Sequence, residues 1–168
     1  MNLETERLNF RRYNDQDIDF LFHLLADSET VRYIGEGKTR DREGALNFLK
    51  KIYATYKLGP DTGLMIIEKK DDNIPIGHAG LIPQVVEGAE ELEIGYWVSR
   101  DQWGNGYATE AARALKDYGV KQLEKQRMIS LIQSGNTASK RVASKIGMEL
   151  EKKIQLDGQN VEVYSVKD

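Results

Sequence analysis

The stretch Glu93-Ile94-Gly95-Tyr96-Trp97-Val98, followed by Trp103-Gly104-Asn105-Gly106-Tyr107-Ala108-Thr109-Glu110-Ala111, constrains this chain more than any other. Its first half reads as a strand, its second opens a helical spacing of apolar residues, and glycines stand at the junction. Glycine lets the backbone curl until successive N–H groups point at one spot, and a helix N-terminus adds about half a positive charge there. The junction is therefore either a plain tight turn or an anion cradle. Two familiar phosphate loops do not fit it. A P-loop needs a following Gly-Lys-Ser/Thr, and a dinucleotide fingerprint needs a small residue at Thr109 and an acidic one ending the next strand, where Gln133-Ser134 stands. ATP hydrolysis and nicotinamide chemistry are disfavoured.

Periodicity along the rest of the chain predicts a strand over 7–13 and, after a cap at Asn14-Asp15, a helix through Ile18, Leu21, Phe22 and Leu25. A second helix, capped at Thr39, runs through Ala45, Leu49, Ile52 and Tyr56 until Gly59-Pro60. Strands follow over 63–68, 74–83 and 90–98, with connections short enough for an antiparallel meander. Beyond Gly106 come a helix through Leu123, a strand over 128–133, a helix over 138–146 and two strands over 148–156 and 161–166 around the hairpin dipeptide Asp157-Gly158. A mixed α/β (α+β) sheet covered by helices is the simplest packing, and the whole of 1–168 reads as a single domain.

Composition narrows function further. With 24 basic against 27 acidic residues, the net charge is −3, which gives no general attraction for nucleic acid. There are no cysteines, so disulfides, thiolate metal sites and an acyl-cysteine intermediate are excluded. Two histidines without paired spacing make a metal improbable. The charged N-terminal stretch and the lack of a run of about 18 apolar residues lead us to expect a cytoplasmic protein without a membrane segment.

Trp103 to Ala108 resembles motif A of the GNAT superfamily of N-acetyltransferases, Gln/Arg-x-x-Gly-x-Gly/Ala, with Trp103 in place of the usual Gln or Arg. Thr5-Glu6-Arg7-Leu8-x-Phe10-Arg11 and the segment from Asn136 to Met148 are similar to the opening strand and motif B of its ribosomal-protein-alanine N-acetyltransferase (Rim-type) branch. The resemblance implies an acyl-CoA N-acyltransferase fold: a mostly antiparallel seven-stranded sheet with about four helices, splayed between the fourth and fifth strands. It also implies acetyl-coenzyme A as co-substrate, bound by backbone groups of Tyr96, Trp97 and Val98, by the curl Trp103, Gly104, Asn105, Gly106, Tyr107, Ala108 and Thr109, and by Asn136. Asn136 has a plainer reading as the cap of the helix that follows.

The acetyl group would pass directly to a primary amine, either a protein N-terminal α-amine or a small amine such as an amino acid, polyamine or antibiotic; a silent acetyl-CoA-binding member is the rival. Glu93 matches the Glu of the family's Glu-x-Gly-Tyr segment and is the candidate base, directly or through water, against readings as an exposed strand carboxylate or a substrate-amine anchor. The tyrosine that many members use to protonate the thiolate is Ala143 here, which leaves Ser139 as the candidate donor. His78 is expected to be a packed strand histidine, or else to line the acceptor site. Acceptor selection would fall to the first two helices, their joining loop from Val31 to Thr39 with Arg32 and Tyr33, and the C-terminal hairpin, in a monomer or homodimer.

Overall fold

A computed structural model describes residues 1–167. Its elements are β1 (Leu8–Arg12), α1 (Ile18–Ala26), α2 (Ser28–Val31), α3 (Arg42–Tyr56), β2 (Gly63–Lys69), β3 (Pro75–Val86), β4 (Ala89–Val98), α4 (Tyr107–Lys121), β5 (Arg127–Gln133), α5 (Thr137–Lys145), β6 (Glu149–Leu156) and β7 (Gln159–Lys167). The seven strands form one sheet in the order β1-β2-β3-β4-β5-β7-β6. Every neighbouring pair is antiparallel except β4 and β5, which run parallel.

The expected alternation of elements holds, with local corrections. The cap of α3 is Asp41, whose carboxylate accepts the Gly44 N–H at 2.8 Å, and not Thr39. Arg40 N–H bonds the Leu25 carbonyl at the end of α1, which keeps the chain extended past Thr39. A single extra helical turn, α2, sits in what reads as a loop. Strand β3 runs three residues past Pro83, because β2 pairs no further than Leu81 and leaves β3 an edge where a missing N–H costs nothing. The β3–β4 and β6–β7 hairpins turn on Glu87-Gly88 and Asp157-Gly158, all four with positive φ.

Alternation along β4 divides the core between the two faces of the sheet. Ile94, Tyr96 and Val98 point to one face, where they pack with Ala111 and Leu115 of α4, Ala143 of α5, and Met128 and Ile132 of β5. Trp97 points to the other, against Leu21, Leu25, Leu49 and Ile52 of α1 and α3. The N-terminal segment, whose Met1 and Leu3 pack against the first of these clusters, clips the start of α4. Thr5 Oγ1, the Arg7 guanidinium and the Arg7 N–H all bond the Glu110 carboxylate. Burial pushes that carboxyl up, but these bonds outweigh it and hold it below the ordinary range.

Candidate active site

Strands β4 and β5 share one register pair, Glu93 with Ile129, and beyond it no pair joins them among the described residues. Two side chains take up β4 carbonyls along the opening: Ser130 Oγ donates to Ile94 at 2.8 Å and Trp103 Nε1 donates to Val98 at 2.7 Å. In an antiparallel ladder each residue aims its N–H and C=O to the same side. Tyr96, in phase between Ile94 and Val98, therefore turns its backbone polar groups into the gap. Trp97 is out of phase; its backbone belongs to the ladder with His78 of β3, which removes it as a backbone partner for a ligand in the gap.

The gap leads to the start of α4. Gly104 and Gly106 have φ of 84° and 79°, a region where side-chain-bearing residues are strained, and no side chain caps the helix. The first helical bond runs from Glu110 N–H to the Gly106 carbonyl, so the N–H groups of Tyr107, Ala108 and Thr109 lie ahead of the ladder and are given no acceptor by it. These are the donors an anion would use. Asn105 is not part of the cleft wall; its amide donates to the Gln102 carbonyl at 3.0 Å.

Gap and curl are parts of one cleft of about 690 Å³. The structure brings together on its wall Glu93, Tyr96, Trp97, Val98, Trp103, Gly104, Gly106, Tyr107, Ala108, Thr109, Asn136 and Ser139. Asn136 does cap α5, accepting the Ser139 N–H at 3.2 Å, while also facing the cleft. Tyr96 donates its hydroxyl to the Ser139 carbonyl at 2.9 Å, tying β4 to the first turn of α5. No hydrogen bond of the Ser139 hydroxyl itself occurs among the described residues.

Glu93 shares the face of Trp97, so it meets the cleft from the side opposite α4 and α5. It is half-buried, accepts the Gln84 amide at 2.9 Å and bonds the Leu131 backbone. Burial raises its carboxyl above the ordinary range, and these two bonds only partly offset it. His78 does not line the cleft. It is fully buried behind Trp97, with Nδ1 2.7 Å from the Tyr13 hydroxyl, and burial pushes its imidazole down to about 3.

Sequence reasoning missed how closely α2 and its loop approach the far strand. Gln133 Nε2 donates to the Gly35 carbonyl at 2.7 Å, and the Tyr33 ring lies so close to Gly135 that a Cβ there would come within 2.7 Å of it. A strap from Glu29 to Ile34 thus forms part of the cleft wall near the ends of β4 and β5. The resemblance had assigned this loop to acceptor selection, but no residue pattern marked its contacts with Gln133 and Gly135. Arg32 lies 4.0 Å from Glu29 and over the Tyr33 ring.

A backbone edge exposed between parallel strands, running into unpaired N–H groups at a helix start with a carboxylate across the gap, is the arrangement that the resemblance to acyl-coenzyme A-dependent transferases implies. Residues 7–149 match the family model described as Acetyltransferase (GNAT) domain. The chain is 38% identical to protein YkkB of Bacillus subtilis over 98% of its length and 95% of that protein's. It is 31% identical to the N-acetyltransferase YoaA of the same organism, covering 89% of this chain and 83% of that one. The solved structure of RimL, a ribosomal alpha-N-protein acetyltransferase in complex with coenzyme A, superposes with a TM-score of 0.81 at 16% identity, covering 99% and 98% of the two chains. The chain belongs to the GNAT acetyltransferase family, with the fold that Rim-type enzymes share, and it transfers an acetyl group to an amine.

Proposed function

We propose that the acceptor is an α-amine, at the N-terminus of a polypeptide or on an amino acid, and that it reaches the cleft from the Glu93 side while acetyl-CoA occupies the α4–α5 side. The observation that carries this reading is the placement of the carboxylate and the cradle across a single gap. Acetyl-CoA, when bound, supplies the thioester carbonyl. The N–H groups of Tyr107, Ala108 and Thr109, with those of the curl before them, hold its diphosphate, and the Tyr96 backbone with Asn136 holds its arm. Trp103 shapes this site by fixing the curl to Val98.

Glu93 takes a proton from the amine as the new N–C bond forms; the Ser139 hydroxyl gives one to the sulfur as the C–S bond breaks, and its oxygen regains a proton through water as Glu93 releases the one it took, so protons and charge balance. An α-amine titrates near 8 and a lysine near 10.4, so an α-amine needs less help from a carboxylate, even one made more basic by burial. Rim-type activity on protein N-termini agrees with this preference.

Thiol release should be measured over a panel of N-terminal peptides, free amino acids, lysine side chains, polyamines and aminoglycosides, alongside calorimetry with acetyl-CoA. The highest kcat/KM should fall on an α-amine. Faster turnover of polyamines or lysine side chains would remove the α-amine reading, and binding without turnover of any amine would point to a silent acetyl-CoA-binding protein.

A further inference from the structure

Five charged side chains line the cleft: Glu29, Arg32, Glu93, Arg141 and Lys145. Arg32 sits beside Glu29, and Glu93 is engaged by Gln84. Among the described residues, Arg141 and Lys145 have neither a carboxylate within 4.0 Å nor a side-chain hydrogen bond. Four residues apart on α5, they stand on one face, where like charges repel. The adjoining part of α4 adds more positive charge: Arg113 donates to the Lys145 carbonyl at 3.0 Å and Lys116 to that of Ile146 at 2.5 Å. The cleft is thus polarised, with a carboxylate across the gap and unpaired cations along α5.

The curl itself offers an anion N–H groups and no cation, since the side chain at 103 is an indole committed to Val98. N–H donors suit a diphosphate, but coenzyme A also carries a 3′-phosphate monoester on its ribose, with close to two negative charges, and that group is best met by cationic side chains. We propose that Arg141 and Lys145 bind this 3′-phosphate, so that the protein selects coenzyme A over its 3′-dephospho form. The proposal rests on the reading of the cleft as the acetyl-CoA site.

The test is calorimetry with coenzyme A and with 3′-dephospho-coenzyme A on the wild type and on the double variant Arg141→Gln/Lys145→Gln. The wild type should prefer coenzyme A by about tenfold or more, the discrimination expected of charge-assisted hydrogen bonds. In the double variant coenzyme A should weaken to the level of the dephospho form, whose own affinity stays put. Both side chains are exposed, so the melting temperature should not change. Equal affinity of the wild type for both ligands overturns the proposal, as does a double variant that weakens both alike. If the wild type binds neither, the acetyl-CoA reading falls and takes this one with it.

Discussion

The two sides of the β4–β5 gap are made of different material. On the α4–α5 side, what faces a ligand is mainly backbone: the N–H groups after Gly106, the Tyr96 amide, and carbonyls already partnered by Ser130 and Trp103. On the other side it is side chains, Glu93, Trp97 and Tyr33, contributed by β4 and by the strap around α2. Backbone donors are the same whatever the sequence, so a site made from them suits a ligand that never varies. A side-chain wall can be rewritten residue by residue, which suits an acceptor that differs between relatives.

The sharpest way to break this contrast is at Glu93. Glu93→Gln should lower kcat about a hundredfold, the usual scale of a lost general base, with coenzyme A affinity unchanged. Because burial raises the wild-type carboxyl, wild-type kcat/KM should climb with pH through an acid limb above the ordinary carboxylate range, and the variant should lack that limb. Stability moves the opposite way. A raised native pKa means the unfolded chain sheds its proton first, so the wild type loses stability as pH rises above the unfolded value, through the native one. Glu93→Gln should therefore melt no lower than wild type at neutral pH, and any gain should vanish in acid, where both states carry the proton.

Next in size is Gly106→Val, which places a β-branched residue at φ 79° beneath the cradle. Strain of about 1–3 kcal/mol at such a position should cost roughly tenfold or more in coenzyme A affinity by calorimetry. An affinity within twofold of wild type would mean that the curl does not hold the diphosphate. Ser139→Ala should slow single turnover about tenfold and leave coenzyme A binding alone; an unchanged rate removes Ser139 as the proton donor. The smallest effect belongs to Ser130→Ala, which leaves the Ile94 carbonyl without its hydroxyl donor. About 1 kcal/mol, or roughly 3 °C in Tm, is expected for a domain of this size, with kcat unaffected.

The same contrast explains what was legible in the sequence. The tight curl ahead of α4 could be read because its positive φ values require glycine at particular places, and such a requirement leaves a mark on the chain. The antiparallel meander β2-β3-β4 and the β6–β7 hairpin could be read for similar reasons, since alternation, short connections and turn residues are local. The strap's contacts could not, although the resemblance put its loop at the acceptor side, because they depend on Gln133 meeting Gly35 and Tyr33 meeting Gly135, partners about a hundred residues apart with no spacing rule. The facing of the Trp97 backbone and of the Asn105 side chain was not legible for a related reason. A motif marks a segment as a whole, but only pairing with β3 and the bond to Gln102 decide which of its groups face inward.

Assigning the backbone side to acetyl-CoA is the claim on which the rest depends, and a crystal structure with coenzyme A tests it most directly. The diphosphate should lie within hydrogen-bonding distance of the N–H groups of Tyr107, Ala108 and Thr109, with the thiol in the gap beside Tyr96 and facing Glu93. Phosphates bound anywhere else, or a thiol directed away from the gap, would contradict it.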